Sequence, residues 1–169
     1  MATTASPVLA GLDREIVVAR VFDAPRRLVF RAWTDPELAV HWWGPKGFTS
    51  ISCEMDVRPG GRWRRRMRSP DGSLRCARGV YREIVAPERL LFTYAWEDAD
   101  GRPGRETLVR VGFIECGRQT ELTLRQGFFA TVTASDSHRD GWTGCLERFA
   151  EYLATLSLQE GDRLCSTRS

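Results

Sequence analysis

Few residues of the chain have the type and spacing that acid or base catalysis requires. His41 precedes a tryptophan pair, and His138 lies in the first turn of a predicted helix. An imidazole acts best as a general base when a carboxylate orients it, and neither histidine has such a partner nearby in the sequence. We predict that His41 is a surface or capping residue and that His138 faces solvent. On this basis no residue is assigned a catalytic role.

Two carboxylates, Glu54 and Asp56, are predicted to point away from the core. They alternate with the apolar residues Ile51, Cys53 and Met55 of a predicted strand. Because successive side chains of a strand lie on opposite faces, the carboxylates are expected on the outer face. They are therefore poor candidates for acid or base chemistry.

Arg65 is the polar residue with the clearest binding chemistry. In the run from residue 62 to 68 every even position is arginine and shares one strand face, while Trp63, Arg65 and Met67 share the other. An inward guanidinium needs an anion, either a buried carboxylate of the protein or the acidic head of an amphipathic ligand. A bulge after Gly61 would instead turn Arg65 to solvent. The sequence leaves all three outcomes open, and the outer arginines are interpreted as a solvated strand face.

The composition is that of one globular domain. The 169 residues are 42% hydrophobic and 28% charged, and no apolar stretch approaches the roughly 20 residues that cross a bilayer. The net charge of +3 is too small to indicate a nucleic-acid partner. The N-terminal residues lack the basic and apolar regions of a secretory signal, so we expect a cytoplasmic protein, either a monomer or a homodimer.

The five cysteines do not form a metal-binding or disulfide pattern. They lie far apart, no C-x-x-C motif is present, and the chain has only two histidines. We therefore expect no metal site, no cofactor and reduced thiols. Cys53, Cys76 and Cys145 are predicted to be small buried hydrophobic residues.

Turn residues divide the middle of the chain into short strands. Clusters of Pro, Gly and Asp separate six predicted strands, and a segment rich in Ile and Val at 15–22 adds a seventh. Short turns imply an antiparallel sheet, in which the first strand pairs with the last. The six strands are expected at 48–57, 62–69, 73–85, 90–97, 106–115 and 120–127.

Two short helices are predicted between the first and second strands. Asp23 is the expected cap of the first helix. The segment 34–36 (TDP) ends that helix and begins the second, which is expected to end at Trp42 and Trp43, before a Gly-Pro pair at 44–45. The predicted fold class is therefore α+β.

A long amphipathic helix is predicted to close the chain. Apolar residues recur at helical spacing from Trp142 to Leu156, which indicates a helix from about Ser137 to Leu158. Ser137 and Asp140 resemble a capping box at its start. The apolar stripe of this helix must be buried against the sheet.

The domain boundaries follow from where periodicity begins and ends. Residues 1–12 are expected to be a disordered tail, 13–158 a single domain and 159–169 a flexible tail. Gly141 and Gly144 each cost about 1 kcal/mol relative to alanine within a helix. Their presence indicates that space or close approach is needed near the start of the last helix.

The predicted inner faces carry more aromatic residues than a closely packed helix-on-sheet core needs. Any one ring could simply fill the core, but tryptophan is rarely buried completely and often lines pockets. A twisted sheet curls, and a helix on its concave face leaves one end open. We therefore predict a cavity bordered by Trp33, Trp42, Trp43, Phe48, Trp63, Arg65, Met67, Phe92, Tyr94, Trp96, Trp142 and Leu146.

The order of elements and several short motifs resemble one known family. The motifs are TDPELAVHWWGP, DVRPGGRW, GVYREI followed by PERLLFTYAW, and the GW that opens the last helix. Together they resemble the activator of Hsp90 ATPase homologue 1-like (AHSA1-like) branch of the START/Bet v 1-like superfamily, over roughly residues 14–156. The resemblance implies the helix-grip fold, in which a seven-stranded curved antiparallel sheet wraps a long C-terminal helix and encloses a cavity for apolar molecules. It supplies no shared catalytic set.

The leading hypothesis is a protein without enzymatic activity that binds a small apolar or amphipathic molecule. The aromatic excess around the predicted cavity motivates it, and lipids, fatty acids, polyketides and aromatic compounds are the ligand classes. A cyclase or hydrolase that uses the same cavity is one alternative. A co-chaperone that stimulates an Hsp90-type ATPase through its surface is another, as the resemblance implies, and it would add a chaperone partner.

Overall fold

The computed structural model describes residues 14–166, which form seven strands and three helices. The predicted tail at residues 1–12 lies outside the described residues. The strands are β1 Ile16–Phe22, β2 Thr49–Met55, β3 Arg62–Arg68, β4 Leu74–Val85, β5 Arg89–Trp96, β6 Thr107–Cys116 and β7 Gln119–Gly127. The helices are α1 Arg26–Thr34, α2 Pro36–Ala39 and α3 Val132–Ser166.

All seven strands belong to one antiparallel sheet in the order β1-β7-β6-β5-β4-β3-β2. Each strand from β2 to β7 pairs with its neighbour in sequence, and β1 pairs with β7 along its whole length, from Ile16 opposite Gln126 to Phe22 opposite Thr120. This sheet with its long final helix confirms the predicted helix-grip fold. Each strand boundary lies within two residues of the predicted one, because the turn residues limit where hairpins can reverse.

A bulge in β2 makes one prediction of side-chain direction wrong. The pairing with β3 shifts register between Ser50 and Ser52, so that Ile51 has no opposite residue. Ile51 is consequently 41% exposed instead of lying on the core face with Cys53 and Met55, which are half-buried. Glu54 is exposed, as predicted.

The first of the two short helices is capped differently from the prediction. Pro25 occupies the N-cap position of α1, which has no side-chain cap, so the capping role predicted for Asp23 is wrong. Asp35 caps α2, since its Oδ1 accepts a hydrogen bond from the Glu37 amide at 3.0 Å. The α2 helix ends at Ala39, and hydrogen-bonded turns carry the chain on to the tryptophan pair.

Helix α3 is longer than predicted at both ends. It begins at Val132, and the Thr131 hydroxyl accepts a hydrogen bond from the Ala134 amide at 3.1 Å, so the capping box predicted at Ser137 is wrong. The helix also continues through Ser166, into the segment predicted as a flexible tail. The apolar stripe from which the helix was predicted begins and ends inside the helix, so it does not mark the ends of the helix.

The core lies between the inner face of the sheet and α1, α2 and α3. Trp33 of α1 is at its centre, 1% exposed, with its ring within 6.2 Å of the rings of Trp42, Trp43, Trp142 and Phe149. These rings join α1 and the tryptophan pair that follows α2 to the first half of α3. None of the helices within residues 14–166 is long and apolar enough to cross a membrane.

Candidate ligand-binding cavity

A cavity of about 780 Å³ opens between the first turns of α3 and the segment that follows α2. Strands β3, β4 and β5 form its floor, and its walls are mainly rings and aliphatic groups with charged residues among them. Its lining consists of Trp43, Gly44, Pro45, Lys46, Phe48, Met67, Arg75, Tyr94, Trp96, Ala134, Ser137, His138, Asp140, Gly141, Trp142, Thr143, Gly144, Cys145 and Glu147.

The twelve residues predicted to border a cavity divide into two groups. The first group lines this cavity and comprises Trp43, Phe48, Met67, Tyr94, Trp96 and Trp142. The second group lies in the core beside it, at most 3% exposed, and comprises Trp33, Trp42, Trp63, Arg65, Phe92 and Leu146. The second group is deeper because α1 and the middle of α3 close over it, whereas the first turns of α3 leave the cavity open. A ligand-binding role for either group stays a prediction.

Arg148 holds the segment 44–48 in place as one wall of the cavity. Its Nη1 donates hydrogen bonds to the carbonyl oxygens of Gly44, Pro45 and Phe48 at 3.0, 3.2 and 3.1 Å. A Cβ at Gly144 would lie 3.2 Å from the backbone nitrogen of Lys46, so the absence of a side chain there lets the segment approach the helix. This close approach is what the glycines of the helix were predicted to provide.

A hydrogen-bond network fixes one polar wall of the cavity. Trp96 Nε1 donates to His138 Nε2 at 3.0 Å, and His138 Nδ1 lies 3.1 Å from Gln126 Oε1. Because an indole N–H can only donate, Nε2 of this imidazole is the acceptor and Nδ1 carries the proton. Gln126 Oε1 also accepts from Trp142 Nε1 at 2.7 Å, and its Nε2 donates to the Thr107 hydroxyl at 2.8 Å. Both nitrogens of His138 are therefore occupied.

The prediction that His138 faces solvent is wrong. The side chain is half-buried, and its ring lies 5.0 Å from that of Phe129 and 5.4 Å from that of Tyr94. This burial lowers the pKa of His138 from 6.5 to about 4, because the charged imidazolium loses its hydration. Protonation would also place a second N–H against Trp96 Nε1. His138 is consequently neutral at physiological pH.

The neutral state of His138 predicts that the protein loses stability in mild acid. Between pH 6.5 and about 4 the unfolded chain binds a proton that the folded chain does not, so stability is complete above this window and falls as the pH is lowered. We expect the free energy of unfolding to fall by about 2 kcal/mol from about pH 7.5 to about pH 5 through this residue. Urea unfolding at a series of pH values measures this change in the free energy of unfolding.

His138→Gln is the matched control for this pH dependence, since glutamine can accept from Trp96 and donate to Gln126 without titrating in this range. The variant should show a flatter stability profile between about pH 7.5 and about pH 5. An NMR titration that finds the His138 pKa at its ordinary value would contradict the expectation.

Several other ionisable groups of the lining contact the protein itself. Burial raises the pKa of the Cys145 thiol to about 11, and Sγ accepts from the Gly44 amide at 3.4 Å. Lys46 and Glu147 form an ion pair at the rim. Arg75 lies with its guanidinium carbon 5.2 Å from the centre of the Trp96 ring. The rim therefore carries charge, while the interior of the cavity is aromatic.

Arg65 lies on the inner face with Trp63 and Met67, as strand alternation predicts, and is 3% exposed. Its guanidinium carbon is 3.3 Å from the centre of the Trp43 ring, and Nη2 contacts Met55 Sδ at 3.8 Å. Nε and Nη1 have no hydrogen-bond partner among the described residues. A cation over a desolvated ring gains about 2 kcal/mol, which is less than the several kcal/mol that burial of an ion costs. Burial accordingly lowers the pKa of Arg65.

The fold of this chain agrees with a family match over most of its length. A family model described as activator of Hsp90 ATPase homolog 1-like protein, AHSA1, matches residues 23–154. The chain belongs to this family. The predicted resemblance is thereby confirmed, and the AHSA1 family lies within the SRPBCC/Bet v 1-like superfamily. Among curated proteins, no sequence matches this AHSA1 chain.

Solved structures of several other proteins share the fold. The AHSA1 protein of Silicibacter pomeroyi is 26% identical, with a TM-score of 0.76 over 84% of this chain and 99% of that one. A protein of Chromobacterium violaceum is 27% identical, with a TM-score of 0.70 over 81% and 94% of the two chains. A protein of Arthrobacter aurescens is 23% identical with a TM-score of 0.77 over 86% and 88%, a likeness that shows the fold alone.

Gln126 lies behind the wall of this AHSA1 cavity, and sequence reasoning missed it. It is fully buried and joins Trp142 and His138 of α3 to the sheet. A signal was present, because Gln126 follows Leu122 and Leu124 at alternate positions and therefore belongs to the inner face of β7. An inward amide at the end of a strand requires polar partners, and those partners are the cavity wall.

Proposed function

We propose that this AHSA1-family protein binds a small apolar or amphipathic molecule in the cavity beside α3. The observation that carries the proposal is the ring-lined space of about 780 Å³, which falls within the 300–1,000 Å³ typical of small-molecule sites. The rings of Trp43, Trp96 and Trp142 present large flat surfaces to this space. Contact with an apolar ligand would bury ring surface, which favours binding.

The polar contacts around the cavity support a site that persists without a ligand. Arg148 fixes the wall at residues 44–48 through three backbone carbonyls, and Gln126 fixes Trp142 through its indole nitrogen. Collapse of the cavity would break these hydrogen bonds, each worth about 1 kcal/mol. A preformed site loses less entropy on binding than one that must be ordered.

The same contacts favour binding over catalysis in this cavity. A general base must offer a free lone pair to the substrate, and the lone pair of His138 is directed at Trp96. The Cys145 thiol has a raised pKa and donates to the Trp42 carbonyl, which makes it a poor nucleophile. We therefore prefer a carrier or sensor of small molecules to a cyclase or hydrolase.

A ligand screen tests the proposal. Native mass spectrometry after mild purification should show a bound mass, and fatty acids, sterols or aromatic polyketides should raise the melting temperature. A ligand present at 100 times its Kd adds about 2.7 kcal/mol to the stability of the folded state. The absence of both a bound mass and any stabilisation across the panel would contradict the proposal.

A further inference from the structure

Unpaired hydrogen-bond donors of the core lie around one small void behind the cavity. The buried side-chain nitrogens that lack a partner among the described residues are Trp33 Nε1, Arg65 Nε and Arg65 Nη1. Both side chains line this void, which is too narrow for a water molecule, together with Trp43, Trp63, Tyr81, Leu90 and Phe92. Unpaired donors on two side chains that line the same space indicate a site for an acceptor from outside the chain.

The protein does not supply the missing acceptor from nearby ionisable groups. Those that interact with Arg65 are Cys53, Tyr81, Tyr94 and Cys145, and burial raises the pKa of each of them, so that all four are neutral at pH 7. Within residues 14–166, Arg65 has no ion pair with a carboxylate. An arginine remains charged even when burial lowers its pKa. One uncompensated positive charge therefore lies in the core, next to neutral donors.

Trp43 separates this charge from the cavity. Its ring covers the Arg65 guanidinium at 3.3 Å, and the same residue lines both the void and the cavity. The next residue, Gly44, has a φ of +125°, a conformation that residues with a side chain rarely adopt. Gly44 therefore lets the backbone turn sharply directly after Trp43. A turn of the indole away from Arg65 would join the void to the cavity.

We propose that Arg65 and Trp33 bind the carboxylate head of an amphipathic ligand whose apolar tail occupies the cavity, with Trp43 turning aside to admit the head. This assignment rests on the proposed function and narrows its ligand class to monocarboxylates. A planar guanidinium matches the two oxygens of a carboxylate, and the indole N–H adds a third donor. One buried positive charge balances one negative charge, which favours a carboxylate over a phosphate dianion.

Paired ligands that differ only in the head group test the assignment. Calorimetry at about pH 7.5 compares decanoate with 1-decanol, which has the same tail and no charge. Wild-type protein should bind decanoate at least about tenfold more tightly than decanol, because only the carboxylate satisfies the buried donors. Arg65→Met should remove this preference by weakening decanoate at least about tenfold, while decanol binding changes by less than about twofold.

Matched variants separate a binding role from a structural one. Arg66→Met alters the neighbouring residue on the outer face of β3 and should leave both affinities unchanged. Arg65→Met should keep or raise the melting temperature, since an unpaired buried charge is removed, whereas a structural arginine would lower it. Trp33→Phe keeps a ring and removes the N–H, and it should weaken decanoate severalfold without affecting decanol. If Arg65→Met fails to fold, the assignment is tested by the ratio of decanoate to decanol affinity in the wild-type protein and by the loss of decanoate affinity in Trp33→Phe.

Each outcome distinguishes this assignment from the proposed function. Equal affinity of wild-type protein for decanoate and decanol would overturn the carboxylate site and leave small-molecule binding intact. Binding of neutral compounds only, across the wider panel, would do the same. If no compound in that panel binds, both the carboxylate site and the proposed function are contradicted. Decanoate binding that survives Arg65→Met unchanged would place the head group elsewhere and overturn the assignment.

Discussion

Gly79→Ala is expected to lower the free energy of unfolding by at least about 3 kcal/mol. Gly79 lies in β4 directly opposite Trp63 of β3. A Cβ at this position would lie 1.8 Å from the Thr93 carbonyl oxygen and 2.6 Å from Trp63 Nε1. Those two atoms form a hydrogen bond of 3.2 Å, so a methyl group would occupy the space of that bond. A backbone oxygen in the middle of a sheet cannot move without shifting the strand.

Gly112→Ala provides the matched control for this prediction. Gly112 lies in β6 of the same sheet, and the nearest atom to an added Cβ is the Thr123 carbonyl oxygen at 4.0 Å. This substitution should change stability by less than about 1 kcal/mol. Urea unfolding followed by tryptophan fluorescence measures both variants. Equal stabilities of the two variants would show that the contact around Trp63 is not a constraint on the fold.

The sheet could be predicted from the sequence because its rules are local. Turn residues at each end of a strand determine where that strand starts and ends. Alternation along β3 correctly placed Arg65 on the inner face with Trp63 and Met67. The bulge at Ile51 escaped prediction because a register shift depends on the pairing of two strands. The start of α3 was placed too late, since the apolar stripe begins at Trp142 while the helix is capped at Thr131.

The cavity could be predicted as a feature but not in its position. Aromatic abundance indicates that rings border a space, but whether a ring is deep or at the edge depends on segments that are far apart in sequence. Trp42 is fully buried and its indole nitrogen donates to the Ala32 carbonyl at 3.0 Å, whereas its neighbour Trp43 lines the cavity. The burial of His138 likewise depends on Gln126 of another element. Such contacts are set by tertiary packing and leave no periodic signal.

Ala134→Trp is expected to weaken the binding of both decanoate and decanol at least about 100-fold. Ala134 is half-buried in the first turn of α3 and lines the cavity, so a larger side chain there occupies the space of the ligand tail. Exclusion of about four methylenes at about 0.8 kcal/mol each is about 3 kcal/mol, which corresponds to a factor of more than 100 in Kd. Because the ring enters open space, stability should change by less than about 1 kcal/mol.

Ala154→Trp is the matched control, since Ala154 lies on the exposed face of the same helix, and it should bind both compounds like the wild-type protein. Calorimetry of these variants and of Arg65→Met then measures separately how the tail and the head of the ligand contribute to the affinity. A block at Ala134 acts on the tail and must affect the acid and the alcohol equally, whereas a change at Arg65 must affect the acid alone. Unchanged decanol affinity in Ala134→Trp would mean that the ligand tail does not lie against Ala134 in this cavity.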